Sequence, residues 1–310
     1  MPDSASSLNR RLLIVTGKGG VGKTTIAAAI AWNAAQLGRR VLACELDPTG
    51  DLAGALAGAS GVGHNGRGTR YAPDELHPRL WVMAMDPEAS LKEYLRLNLK
   101  IPFITKVGAL SNAFDFLANA APGVREIVTI GKVAWEVRER HYDLVVVDAS
   151  ASGHAVGLLQ APDAINSLVG AGMIRNQTAW MLDILHDPAK TGVVVVTTLE
   201  ELPVSETLEV CGQLDANTGS EVAMVVTNRV LPSATSVAPE RLQSGGVGVK
   251  AARSLSDAST IAASRYERQQ AELQRLADAL PASAAIHPVP MLFDTGPGLP
   301  VTRAVAEVLK

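Results

Sequence analysis

Apolar residues along this chain gather in short runs separated by polar or glycine-rich turns. Arg11–Thr16 (RLLIVT), Arg40–Leu46 (RVLACEL), Leu80–Met85 (LWVMAM) and Tyr142–Val147 (YDLVVV) read as strands. So do Gly192–Thr197 (GVVVVT) and Val222–Thr227 (VAMVVT), with Ile286–Met291 as a last one. Their apolar positions run almost without interruption instead of alternating, the signature of strands covered on both faces. Between the first two runs, Thr25–Leu37 is alanine-rich and predicts a helix, with Gly38 as its C-cap. Strands that alternate with helices predict an α/β fold, a doubly wound and mostly parallel sheet. The expected organisation is a single domain over residues 1–310.

Three stretches interrupt this rhythm. Gly58–Arg70 is glycine-rich, and Pro232–Lys250 holds Ser, Gly and Pro with little apolar content; both read as mobile loops. Ser90–Arg140 reads as a helical insert (residues 90–140), in which Val107, Leu110, Phe114 and Leu117 recur at helical spacing. Further helices are expected over 160–188. There Ile165, Leu168, Val169 and Met173 form one stripe, and Trp180, Met181, Ile184 and Leu185 another. Such stripes read as core first and as a binding groove second.

Composition narrows the classes. With 310 residues, 47% hydrophobic and 19% charged, the chain is a globular one and neither disordered nor collagen-like. Lys plus Arg is 28 against 31 Asp plus Glu, a net charge of −3, which gives no general attraction to nucleic acid or to an anionic membrane. Mean hydropathy is +0.15, slightly apolar for a soluble protein. Cys44 and Cys211 are distant and in no CxxC pair, so neither a disulfide framework nor a zinc site is expected. The polar start MPDSASSLNRR does not resemble a signal peptide, and no apolar stretch reaches the ~18 residues of a membrane span. The expectation is a soluble cytoplasmic protein.

Candidate chemistry begins directly after the first strand. Gly17–Thr24 reads GKGGVGKT and fits GxxxxGK[ST], with the strand before it and the helix after it that this phosphate-binding loop requires. Gly19, Gly20 and Gly22 let successive backbone N–H groups turn inward on phosphate oxygens. The helix start adds its positive end. The candidate nucleotide-binding residues are therefore Gly19, Gly20, Val21, Gly22, Lys23, Thr24 and Thr25. Lys23 would reach the β- and γ-phosphates, and the Thr24 hydroxyl would ligate Mg²⁺. Asp47 ends the second strand in Glu45-Leu46-Asp47-Pro48-Thr49-Gly50-Asp51, where a carboxylate lies on the ligand edge and would orient an attacking water. Asp148 ends the fourth apolar run, the Walker B pattern, and would hold Mg²⁺ through a water.

Lys18 gives the deviant form of the loop, KGGVGKT, which resembles that of arsenical-pump ATPases, tail-anchored-protein-targeting ATPases and Min- and Par-type partition ATPases. The segment after Asp148 is similar to the second switch of the pump and targeting ATPases: Gly153, His154, Leu159, Gln160 and Pro162 match, whereas Ser150, Ala151 and Gly157 depart from it. Pro122-Gly123-Val124-Arg125-Glu126 and Thr198–Thr207 extend the likeness, as do Thr227-Asn228-Arg229 and Pro290-Met291. Thr49-Gly50-Asp51, however, looks more like the Par-type form than the Ala-His-Asn of the targeting ATPases. The chain most resembles single-domain bacterial members of the family, of the actinobacterial sort.

The resemblance implies a dimeric ATPase that uses ATP and Mg²⁺, with Lys18 reaching a partner's phosphates across a nucleotide sandwich. It implies that Lys18, Lys23 and Asp47 do the catalysis and that Asn228, Pro290 and Met291 border the adenine. Gly153 would be the hinge of a γ-phosphate-sensing loop, and His154 would couple that switch. The partner would be a second copy or a paralogous ATPase, with a client protein or membrane partner beyond it and no nucleic acid or zinc. A partition-type ATP switch and a regulatory nucleotide-binding subunit of a hetero-oligomer stand as alternatives.

Overall fold

The computed structural model describes residues 8–47, 49–57, 71–91, 93, 123–149, 152–168, 173–281, 284–293 and 295–310. The chain runs β1 (Leu12–Gly17), α1 (Lys23–Gln36), β2 (Val41–Glu45), α2 (Asp51–Leu56), β3 (Asp74–His77), β4 (Leu80–Ala84), α3 (Val124–Arg138) and β5 (Leu144–Asp148). It continues with α4 (Ser152–Leu168), α5 (Met173–Leu185), β6 (Thr191–Thr198), α6 (Glu201–Asn217), β7 (Val222–Val230), α7 (Pro239–Ser244), α8 (Val249–Ala279), β8 (Ala285–Pro290) and α9 (Leu299–Val308). Eight strands form one sheet in the order β3-β4-β2-β5-β1-β6-β7-β8, parallel throughout except for the β3–β4 pair.

The two faces of the sheet explain the unbroken apolar runs. Leu13, Val15, Val41, Ala43, Val146, Val194 and Val226 pack on one side under α1, α2 and α9. Leu12, Ile14, Leu42, Cys44, Val145, Val147 and Val195 pack on the other under α3, α4, α5 and α6. Alternate strand residues point to opposite faces, and both faces are dry, so every position of a central strand has to be apolar. Leu12, Leu13, Ile14 and Val15 all have zero exposure. Burying a side chain of this size contributes about 1.5–3 kcal/mol.

The seven expected strands are present, with ends shifted by up to three residues. β1 begins at Leu12, β5 at Leu144, and β7 runs on to Val230. The first helix starts at Lys23, two residues earlier than its alanine run predicts. Leu37 takes the cap position, and Gly38 follows in the left-handed region (φ +87°). The loop expected over Pro232–Lys250 is corrected: α7 lies within it, and α8 opens at Val249 and continues for 31 residues. Their sequences are polar because they are exposed; only Ala252, Ala263 and Leu276 of α8 are buried. Strand β3 was not legible at all: DELH is exposed or half-exposed and is held by antiparallel pairing with β4.

Within the expected helical insert, α3 is present; Val107, Leu110, Phe114 and Leu117 lie outside the described residues, as does the stretch 58–70. Of the stripe Ile165–Met173, Ile165 and Leu168 lie in α4 and Met173 opens α5, while Val169 lies outside the described residues. Met181, Ile184 and Leu185 of α5 are buried core residues, which is the first of their two readings. Among the described residues no helix is long and apolar enough to cross a membrane.

Candidate functional site

The centre of the site is the turn from β1 to α1, at the carboxyl edge of the sheet beside the point where the strand order changes direction. Gly20 (φ +82°) and Gly22 (φ +98°) hold the left-handed conformation that lets the loop double back. Gly17 is required for a different reason: a Cβ there would lie 2.1 Å from the Val196 carbonyl oxygen of β6. A Cβ on Gly19 or Gly20 would meet nothing within 4 Å, so the loop presents bare backbone to the outside. Helix α1 opens after Gly22 with no side-chain cap. Its first N–H groups, from Lys23 to Thr25, thus have no acceptor within the helix and concentrate positive potential at the loop. Lys23 folds back over this concavity, its Nζ donating to the Lys18 carbonyl oxygen at 3.1 Å.

A candidate cation position adjoins the loop. The Thr24 side chain stands beside the Asp148 carboxylate and favours its ionised form. Asp148 is buried, and its Oδ1 has no hydrogen-bond partner. Burial pushes the Asp148 carboxyl up to about 6, opposed by the Thr24 side chain and the Lys23 charge; Glu45 and Asp47 add to the rise. Glu45 and Asp148 are direct neighbours in the β2–β5 register. A buried carboxylate with an orphaned oxygen, beside a hydroxyl, fits a hard divalent cation such as Mg²⁺. Such an ion would give Oδ1 a partner and hold the acid ionised.

The remaining predicted residues divide. Asp47 is exposed on the loop that leaves β2, near enough to influence Asp148. Lys18 does not reach outward; its ammonium pairs with Glu206 of α6, both side chains about one-third exposed. Asn228 lies buried at the end of β7, where its Nδ2 donates to the Val21 carbonyl at 2.8 Å and its Oδ1 accepts from the Arg229 N–H at 2.9 Å. Its amide braces the phosphate loop from behind. Pro290 ends β8 exposed, and Met291 beside it is 36% exposed, its N–H bonded to the Val230 carbonyl. Gly153 and His154 are exposed residues in the first turn of α4, so the expected hinge is helical here. Pro48, Ser150 and Ala151 lie outside the described residues.

Two residues at the site escaped the sequence reading. Glu45 left a signal, a lone charge within an otherwise apolar strand. Glu206 stands in the Thr198–Thr207 segment, but nothing there points to Lys18, 188 positions away.

A family model for anion-transporting ATPases matches residues 10–182. The ATPase BagA of Mycobacterium tuberculosis is 32% identical over 229 residues, 72% of this chain and 66% of that protein. An arsenical pump-driving ATPase of Escherichia coli is 28% identical over 300 residues, 91% of this chain and 46% of that protein. The ATPase GET3 of Podospora anserina is 28% identical over 155 residues, half of this chain and 44% of its own length. The chain thus spans just under two thirds of the mycobacterial relative and less than half of the other two. The matched region contains the phosphate loop, Asp47, α3, Asp148 and α4, and on it the chain belongs to the anion-transporting ATPase family.

Proposed function

We propose that this chain is an Mg²⁺-dependent ATPase that acts as a dimer, either with a second copy or with a paralogous ATPase. One observation carries the reading: the bare, left-handed glycine turn at the head of α1 stands beside a Thr24–Asp148 pair whose carboxylate has an unpartnered oxygen. An anion cradle and a divalent-cation position side by side fit a nucleoside triphosphate with its metal, and membership of an ATPase family supports ATP as that ligand.

The residues divide the work. The backbone N–H groups of Gly19–Thr25 would bind the phosphate oxygens, and Lys23 would leave the Lys18 carbonyl to neutralise charge on the terminal phosphates. Thr24 and Asp148 would hold Mg²⁺, which supplies charge stabilisation to the transferring phosphoryl group. Asp47 would orient the attacking water through its exposed carboxylate. Asn228 would keep the loop in register from behind while Pro290 and Met291 border the base. Lys18 would exchange Glu206 for a partner subunit's phosphates, the role of the deviant loop lysine. The exposed start of α4, with Gly153 and His154, would pass the state of the site to the helical region and, through it, to a client.

The experiment is ATP turnover per subunit across a range of protein concentrations. A rate per subunit that rises and then saturates supports an active homodimer, and Lys18→Ala should abolish the rise. ATP binding without turnover at any concentration would overturn intrinsic catalysis and favour a subunit that needs a paralogue. Absence of ATP binding would overturn the reading itself.

A further inference from the structure

Glu45 is a buried carboxylate at the last position of β2, 2% exposed, in a strand whose other residues are apolar. Its backbone is held from both sides, with the Met85 N–H bonded to its carbonyl from the β4 side and Asp148 as its register partner on β5. Its side chain turns toward the loop that follows. Oε1 accepts from the Thr49 hydroxyl at 3.1 Å and from the Leu52 N–H at 3.2 Å, and Oε2 accepts from the Gly50 N–H at 3.1 Å. The Thr49 hydroxyl also lies 2.9 Å from Asp51 Oδ2. The loop leaving β2 is thus tied at both ends. Leu46 donates its N–H to the Asp148 carbonyl at 3.1 Å, and Thr49, Gly50 and Leu52 converge on Glu45. Asp47 hangs between the two ties.

We propose that Glu45 is a positioning residue: its carboxylate fixes Thr49, Gly50 and the head of α2, so that Asp47 just before them is presented to the site. The Gly50 and Leu52 N–H groups, and the Thr49 hydroxyl that Glu45 shares with Asp51, converge on one buried side chain and call for an acceptor-only group. A glutamine there would turn an NH₂ toward a loop N–H or hydroxyl and lose at least one of the three. The placement of Glu45 beside Asp148 gives it a second consequence. A change at the cation position is felt by its neighbour in the sheet, and the neighbour holds the water-orienting loop. The part that Asp47 plays rests on the ATPase reading; the hold of Glu45 on the loop does not.

The test compares the full chain with Glu45→Gln and with Thr49→Val, the latter an exposed position whose change leaves the core intact. Amide hydrogen exchange at Gly50 and Leu52 is read without nucleotide, together with kcat, KM and binding of a fluorescent ATP analogue. Loss of one hydrogen bond to a charged acceptor predicts exchange about tenfold or more faster at these amides in Glu45→Gln, with the phosphate-loop amides unchanged. It predicts kcat lower by about tenfold with KM and analogue affinity within about twofold, because the phosphate cradle is untouched. Thr49→Val should move both readouts in the same direction by less. Unchanged exchange would overturn the inference. Faster exchange with unchanged kcat would make Glu45 a helix anchor only and overturn the positioning role. Parallel loss of affinity and kcat would place the effect in the cradle and overturn it as well. A wild-type chain that binds ATP without turning it over would count against the ATPase reading, and exchange at Gly50 and Leu52 would still decide whether Glu45 holds the loop.

Discussion

The contact between Gly22 and Asn228 yields a quantitative prediction. Gly22 has φ +98°, and a Cβ at this position would lie 2.4 Å from Asn228 Nδ2. Gly22→Ala therefore carries two costs. Holding a non-glycine residue in this region costs about 1–2 kcal/mol. Displacing the Asn228 amide breaks its 2.8 Å bond to the Val21 carbonyl, and losing a buried partner costs about 1–3 kcal/mol. The sum is about 2–5 kcal/mol. Asn228→Ala alone loses the bond to Val21 and the local bond to Arg229, and it leaves space where the amide stood. The double variant pays for the backbone strain and the lost amide without the clash. Its destabilisation should fall short of the sum of the two singles by about 1–3 kcal/mol. Urea unfolding of the four proteins of the cycle measures this. Additivity within about 0.5 kcal/mol would mean that Asn228 does not brace the loop through this contact, and the reasoning would fail.

Three further outcomes follow from other parts of the molecule. Asp148→Asn should stabilise the metal-free chain at pH 7, because the native acid is raised from 3.8 to about 6, a shift of about 3 kcal/mol at most. A raised acid favours the folded state below its unfolded pKa and loses that advantage as pH rises through 6. The gain should thus vanish below about pH 4, and a pH series of unfolding midpoints checks it. On the proposed function, Mg²⁺ with ATP should raise the melting temperature of the wild type and not that of Asp148→Asn, read by calorimetry. Leu276→Ala opens the contact of α8 with α6, where Leu276 is fully buried against Leu208 and Leu273. It should cost about 2–4 kcal/mol and increase exchange along α8, with little change in nucleotide affinity.

Legibility followed locality. The strands could be read because a central parallel strand is dry on both faces and writes that into consecutive residues, as LLIV of β1 does. The phosphate loop could be read because its conformational needs are local: Gly20 and Gly22 sit at positive φ, and the lysine and threonine stand at a set distance from them. Helix α8 could not, because a long exposed helix needs few apolar positions, and its serines and glycine-rich approach resemble a loop. Strand β3 could not, because its four residues are strand only by virtue of β4 beside them.

By itself the sequence determined seven of the eight strands, the glycine turn and the residues that stand at it. Each of these depends on neighbours within a few residues or on burial that repeats along a strand. Only the tertiary structure decided that Lys18 pairs with Glu206, that Asn228 braces Val21, and that Glu45 ties the loop bearing Asp47. The first two join residues 188 and 207 positions apart. The third is local in sequence, yet it requires the carboxylate to be buried and turned toward its own loop, and the packing of β2 between β4 and β5 sets that orientation.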